Sequence, residues 1–491
     1  MKYKWIVLSN TTIGTLMASL DTNIIIVALP VIASELHTSL LTTLWTALGY
    51  WLVTASVLLN FGRLADIFGR VRLYNLGFAI FTVGSALSSI SQTGEQLVMF
   101  RIIQAFGAAF LFSNSAAILT DVFPENERGK ALGLNQVAIV LGSVLGLVFG
   151  GFLTSYLGWR SVFWINIPIG MIGTVWSYTK LKELGTIRKG EKIDWLGNVT
   201  FAAGLFILLA GITFTSSGII SSNSIKFYLA IVGGISLLVL FVFIEKHISK
   251  DYSMFHFSLF KVRAFVGGNI ATLLNSIARG DFTLIMAFYL QGPSMKLSPL
   301  EAGIYLIPVS GALAICGPIS GWLSDRYGSR VISSIGLILS AIGFLMLMKL
   351  EATASFIDLL SPLLLIGAGM GVFASPNRAS IMNSVKSFSR GVAAGTNTTL
   401  ILIGRTLSLG IAFLIMAGIM PIQQIKTIIL GDTAATLAIT TTSSSAATSA
   451  TTQLIIGKFL TSMHMIFLIS AIFMLVAILP VMIKNKIIIS N

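Results

Sequence analysis

Apolar stretches about twenty residues long recur from one end of this chain to the other. They fall at 9–31, 44–65, 74–91, 96–120, 133–156, 162–181, 195–215, 226–245, 264–290, 301–323, 331–349, 359–378, 395–420 and 459–483. About 20 apolar residues in a helix cross the ~30 Å hydrocarbon layer of a bilayer. In hydrocarbon every backbone N–H and C=O must find its partner within the segment, so such stretches are expected to be helices. The expected fold class is therefore an all-α polytopic membrane protein with 14 transmembrane helices. Composition agrees: 55% of the 491 residues are hydrophobic and 10% are charged, against about 25% charged in a soluble domain. Lys2 and Lys4 precede the first stretch, as in a signal peptide. That stretch is too long, holds Asp21 and lacks a clear small-residue cleavage site, so it is expected to be retained.

The net charge of +14 would suit nucleic acid, but its distribution points to a membrane. With the N-terminus inside, 22 of the 32 basic residues fall in cytoplasmic segments and six in outer ones. The other four, Arg101, Arg279, Arg378 and Arg405, lie within or at the edges of spans. A bias of this kind over short loops places both termini in the cytoplasm and calls for an even number of spans. The bilayer is the expected partner, and nucleic acid is not. The single cysteine, Cys316, excludes an intrachain disulfide and a cysteine-based metal cluster. No G-x-x-x-x-G-K-[ST] loop is present, so ATP is not expected to drive the protein by that route. No catalytic triad, metal constellation or cofactor motif stands out either, and the chain does not read as an enzyme.

Two loops share a pattern. Gly62-Arg63-Leu64-Ala65-Asp66-Ile67-Phe68-Gly69-Arg70-Val71-Arg72 is echoed by Gly321-Trp322-Leu323-Ser324-Asp325-Arg326-Tyr327-Gly328-Ser329-Arg330. Each follows the end of a span. Their spacing leaves six spans once the pair at 195–245 is set aside. The expected organisation is an N-terminal six-helix half (1–185), an inserted helix pair with cytoplasmic flanks (186–258) and a C-terminal six-helix half (259–491). Repeats of this sort build many secondary transporters, with the substrate site at the repeat interface near the bilayer midplane. Gly62 and Gly321 allow close helix approach, and Gly69 and Gly328 a tight turn. Asp66, Arg70, Arg72, Asp325 and Arg326 would form charge clusters able to latch one conformation. The plainer reading is a solvated turn with positive-inside arginines. Residues 433–452 are mostly Thr, Ser and Ala and are expected to be a flexible outer loop.

Charges inside spans mark the candidate site. An ionised carboxylate in hydrocarbon costs at least ~2.5–3.5 kcal/mol on insertion scales, so Asp21 is a functional candidate. A carboxylate that moves between a buried setting and a nearby cation can load and release a proton. Arg101 is the natural cation; a static buried pair is the alternative. Arg279, Asp281 and Arg405 are further candidates for the cavity, with Gly280 able to loosen the ninth helix. Asp281 would serve either as a second protonation or cation site or as half of an interhelical pair. With Arg279 and Arg405 present, acid does not dominate the membrane interior. That balance leans toward neutral or amphipathic-anionic substrates.

These residues resemble the major facilitator superfamily, and within it the fourteen-helix drug:proton antiporters of the EmrB/QacA type. The G-x-L-A-D-x-x-G-R-x-R loop is similar to the superfamily signature between its second and third helices. Leu20-Asp21-Thr22-Asn23-Ile24 through Pro30 resembles the first-helix motif. Arg101-Ile102-Ile103-Gln104-Ala105-Phe106-Gly107 resembles R-x-x-Q-G-x-G, with Ala105 in a usual Gly position. Gly158-Trp159-Arg160 with Phe163, Asn166, Pro168 and Gly170 resembles the entry to the sixth helix. Asp194-Trp195-Leu196-Gly197 resembles the start of the inserted pair. Gly142, Gly146, Gly150 and Gly151 fit the fifth-helix antiporter motif, but Leu147 stands where that motif has proline. The resemblance implies a proton-coupled exporter of small hydrophobic compounds, working as a monomer in the cell membrane, with Arg101 taking part in proton handling. A dedicated metabolite exporter, an organic-anion uptake symporter of the same fold, and a non-transporting receptor are the alternatives.

Overall fold

The computed structural model describes residues 3–184, 195–216, 224–247, 257–385, 390–430 and 445–482. The described residues are almost wholly helical. Helices α1 (Tyr3–Glu35), α2 (Leu40–Phe68), α3 (Arg70–Ser89), α4 (Gly94–Val122) and α5 (Glu125–Leu157) come first. A split pair follows, α6 (Ser161–Trp164) and α7 (Asn166–Lys180), then α8 (Trp195–Ser216) and α9 (Ile225–His247). Beyond a short 3₁₀ turn come α10 (Arg263–Arg279), α11 (Phe282–Gln291), α12 (Pro299–Tyr305), α13 (Ile307–Tyr327), α14 (Ser329–Leu347) and α15 (Phe356–Asn383). The chain closes with α16 (Arg390–Ile419), α17 (Ile422–Leu430), α18 (Ser445–Val476) and α19 (Ile478–Val481). Among the described residues, ten helical stretches are long and apolar enough to cross a membrane. The other four expected spans correspond to α3, the α6–α7 pair, α8 and the α10–α11 pair, which are broken, short or less apolar.

Local chemistry sets the ends. Ser39 and Thr93 cap α2 and α4 by accepting the Thr42 and Gln96 N–H, satisfying orphan donors of the first turn. Ser298–Glu301 and Ser355–Asp358 form full capping boxes at α12 and α15. Gly69 (φ 104°) and Gly328 (φ 85°) turn the chain from α2 into α3 and from α13 into α14. Side chains rarely adopt that region, so the shared glycine of the two loops has a shared backbone reason. The helix expected at 264–290 breaks at Gly280–Asp281.

Each half packs largely within itself. In the first, α1 lies against α5, α4 and α7, while α3 lies against α4. In the second, α15 lies against α13 and α14, and α10 against α16 and α18. The halves meet where α5 touches α12 and α13, where α2 touches α16, and where α1 touches α11. Helix α8 packs on α9, α2 and α16, so the α8–α9 pair sits beside the α2–α16 seam. Along α9 the large side chains Tyr228, Leu229, Val232, Val239 and Phe243 are exposed, as lipid-facing residues are.

Two expectations change. Of the segment expected as a flexible outer loop, 433–444 lies outside the described residues, but 445–452 form the first turns of α18. Helices continue past the apolar stretch because the first polar turns keep their backbone bonds in water. The segment just before it, also expected to be loop, holds α17, whose Ile425 and Ile428 are buried. Apolar residues three apart share a helix face, and that face rests on α1, α2 and α16.

Candidate functional site

Asp21 and Arg101 meet inside the first half, each with 0% of its side chain exposed. Arg101 Nη1 donates to Asp21 Oδ2 at 2.5 Å and to Gln104 Oε1 at 2.6 Å. Gln104 Nε2 donates to Asp21 Oδ1 at 2.9 Å and to Ser85 Oγ at 2.6 Å. Asn166 Nδ2 donates to Asp21 Oδ1 at 2.8 Å. Arg101 Nε reaches the Thr46 carbonyl at 3.2 Å, and its guanidinium lies 4.3 Å from the Tyr50 ring centroid. One carboxylate thus ties α1 to α4 and α7, with α2 and α3 joined through the arginine and the glutamine. Positions 101 and 104 project together because residues three apart share a helix face. Asn166 arrives at the start of α7 because the chain breaks at Ile165. Burying such a pair is costly, and the added hydrogen bonds from Gln104 and Asn166 to Asp21 offset part of that cost. Here Arg101 Nη2 and Asn166 Oδ1 are buried without partners.

Helix α1 presents three working faces. Asp21 points into the first half. A second face carries Leu16, Leu20 and Ile24, where the α5 glycines sit. A Cβ on Gly142 would lie 2.6 Å from Leu16 O, on Gly146 2.6 Å from Leu20 O, and on Gly150 2.8 Å from Ile24 O. Gly151 belongs to another contact: its Cβ would lie 2.5 Å from Pro299 O across the seam. The third face, with Asn23 and Ile26, lines a cavity of about 100 Å³ between the halves. Asp21 and Asn23 are about 200° apart round the helix, so the Asp21 carboxylate and the cavity lie on different sides of one rod.

The cavity is lined from both halves, by Trp51, Ser143 and Leu147 on one side and Arg279, Phe282, Ser310, Met370 and Arg405 on the other. Arg279 and Arg405, expected as site residues, are brought together here. Asp281 is not with them in the wall. Ser408 Oγ donates to Asp281 Oδ1 at 2.9 Å and accepts the Asp281 N–H at 3.0 Å. The carboxylate thus joins α11 to α16 through a hydroxyl, and no ion pair joins it to another described residue. Gly280 permits this approach, since its Cβ would stand 2.7 Å from Arg405 Cα.

The paired loops differ. In the first, Arg70 donates to Asp66 Oδ1 through Nε (2.9 Å) and Nη2 (2.8 Å), and to Asp121 Oδ1 at 2.6 Å. Burial alone would lower the Arg70 guanidinium; Asp66 and Asp121 more than offset that and hold it above the usual arginine range. Glu183 accepts the N–H groups of Arg70, Val71 and Arg72 at 3.0, 2.9 and 3.4 Å, a carboxylate on the positive end of a helix. Gly62 and Gly321 both face neighbours, Ser113 and Ser375. Arg72, Asp325 and Arg326 are exposed, and among the described residues Arg326 rests over the Trp322 ring alone, 5.5 Å from its centroid. Among the described residues, ion pairs join the charges of the first loop and none joins those of the second.

Residues not singled out as site residues from sequence complete the picture. Gln104, Asn166 and Ser85 surround Asp21, and Asp121 and Glu183 close the first loop. Gln104 and Asn166 lie within motifs already noted; Asp121 and Glu183 give no local signal, being 55 and 117 residues from Asp66. In the second half a neutral cluster ties α10, α15 and α16. Asn397 Nδ2 donates to Asn269 Oδ1 (3.2 Å) and Thr272 Oγ1 (3.0 Å), and Asn377 Nδ2 to Thr272 Oγ1 (2.9 Å). Among the described residues no group of three or more His, Cys, Asp or Glu could hold a metal ion.

Known proteins share this architecture. The chain is 32% identical over 416 residues to the riboflavin transporter RibZ of Clostridioides difficile (strain 630), covering 84% of this chain and 88% of that protein. It is 30% identical to multidrug resistance protein 3 of Bacillus subtilis (strain 168), covering 81% and 77%. Its fold matches the inward-facing, unoccupied crystal structure of a bacterial homolog of the human lysosomal transporter Spinster, with TM-score 0.64 and 16% identity over 98% and 96% of the two chains. Residues 11–409 match the Major Facilitator Superfamily throughout. With two helical halves, a cavity at their seam and this match over most of its length, the chain is a transporter belonging to the major facilitator superfamily.

Proposed function

We propose that this protein exports small hydrophobic or amphipathic compounds in exchange for protons, by alternating access. In this reading it is a fourteen-helix member of the EmrB/QacA type. It sits in the cell membrane as a monomer with both termini cytoplasmic. The carrying observation is the position of α1. A protonatable carboxylate occupies one face, held by Arg101, Gln104 and Asn166, and the cavity wall occupies another. Protonating Asp21 removes the charge that orders those three donors. A rod packed against α5 through glycines has little side-chain bulk to hinder its sliding, so a change at Asp21 reaches Asn23 and Ile26. The first loop, latched through Arg70, would then hold one of the two conformations.

Asp21→Asn tests this reading. Proton-driven flux falls to background while the protein still inserts and keeps its fold. If the variant transports as well as the parent, Asp21 is not the coupling group. Direction is read in inside-out vesicles acidified within: an exporter accumulates substrate and an uptake symporter does not. A second reading, uptake or export of one organic anion or metabolite, is favoured by the two arginines in the cavity wall and by the relative named as a riboflavin transporter. A receptor would keep its activity in Asp21→Asn.

A further inference from the structure

Among the described residues, no carboxylate pairs with either of the two cavity arginines. Arg279 Nη1 reaches only the Met370 thioether, at 3.7 Å, and its Nε is buried without a partner. No hydrogen bond or ion pair joins Arg405 to another described residue. Both belong to the wall of one cavity, and no carboxylate does. The buried aspartates Asp281 and Asp21 are already engaged, the first by Ser408 and the second by Arg101. The same wall holds Trp51, 2% exposed, whose indole N–H has no acceptor. The cavity therefore offers unpaired donors and two like charges in a medium of low dielectric, where their repulsion is strong. An acceptor carrying negative charge relieves all of this at once, and a planar guanidinium is shaped to bind a carboxylate in two places.

We infer that the cavity binds a small organic anion, its anionic group taken between Arg279 and Arg405 and its apolar body resting on Trp51, Phe282 and Val309. The inference rests on the transporter reading and supplies its substrate class. One consequence separates the two modes of transport. Exchange of an exported anion for an imported proton moves net positive charge inward and is driven by membrane potential. Symport of the two is electrically silent.

The test is binding to the purified full chain in nanodiscs, read by calorimetry. Three probes share one ring system: 2-naphthoate, neutral 2-naphthamide and cationic 2-naphthylmethylammonium. The acid is expected to bind about tenfold or more tighter than the amide, the range of a charged hydrogen bond. Arg279→Gln and Arg405→Gln are each expected to remove that preference, and Arg405→Lys to keep part of it. Equal affinity for acid and amide, tighter binding of the cation, or binding of none overturns the inference on the unmutated protein, whatever the variants do. Nanodiscs of phosphatidylcholine with and without phosphatidylglycerol separate a soluble anion from a lipid headgroup. If the anionic lipid abolishes naphthoate binding, the site belongs to lipid and the assignment fails. Flux is measured separately. Acid-selective binding without proton-driven flux would overturn the proposed drive and leave the anion site. Proton-driven flux of the amide, with no acid selectivity, would do the reverse.

Discussion

Asp21 and Asp281 are both buried carboxylates of a membrane protein, one inside a helix of the first half and one at a helix break in the second, and their surroundings differ in kind. Asp21 accepts from a guanidinium and two carboxamides. Asp281 accepts from one serine hydroxyl. The first therefore organises five helices, directly or through Arg101 and Gln104, whereas the second links α11 to α16 beside the break at Gly280. A group whose charge state orders many neighbours can drive a conformational change; a group satisfied by one hydroxyl mostly fixes a local contact. The same contrast recurs at the paired loops, where Asp66 is held by Arg70 and Asp325 is exposed. In both comparisons the first half carries the ion pairs, while the second half contributes cationic side chains to the cavity.

Substitutions that break this comparison are ordered by size. Arg101→Ala should be the most damaging, because it leaves Asp21 buried and unpaired; about 3–5 kcal/mol is expected, seen as a collapse of thermal stability in detergent. Gly146→Val should follow, since its Cβ would meet Leu20 O at 2.6 Å. Overpacking of that order costs about 1–3 kcal/mol and should slow flux as α1 and α5 jam. Gln104→Ala should cost about 1–3 kcal/mol by removing one of the partners of Asp21. Asp281→Asn should cost about 1 kcal/mol or less, because Ser408 can hydrogen-bond an amide; a loss of flux as large as that of Asp21→Asn would erase the distinction between the two acids. Asp66→Asn should cost about 0.5–1 kcal/mol, with Arg70 still bound to Asp121. Asp325→Asn should stay within about 0.5 kcal/mol, and equal effects on flux in the two loops would show that the second latches in another conformation.

Much of the fold was legible. Periodic apolar stretches locate nearly every long helix, and the loop repeat marks the two turns where Gly69 and Gly328 take positive φ. Helix ends were less legible, because a helix outlasts its apolar stretch: α1 begins at Tyr3 and α18 at Ser445. Helix α17 was missed because nine residues are too few to register as a span. At the site, Asp21 and Arg101 stood out because charge in hydrocarbon is rare. Gln104 and Asn166 did not, since an amide inside a helix is common and its target cannot be read from its neighbours in sequence. Glu183 was hidden for the same reason, its three N–H donors lying more than 100 residues away.

What the sequence determined by itself is what depends on local physics. Hydrocarbon forces apolar stretches into helices, an isolated acid there demands compensation, and a glycine is needed where φ is positive. What only the tertiary structure decided is which side of each rod faces which neighbour. Hydropathy this uniform carries little information about helix rotation, so it cannot tell a lipid face from a cavity face. That rotation puts Asp21 toward Arg101 and Asn23 toward the cavity, sends Asp281 to Ser408, and leaves Arg279 and Arg405 together in one wall with no acid to meet them.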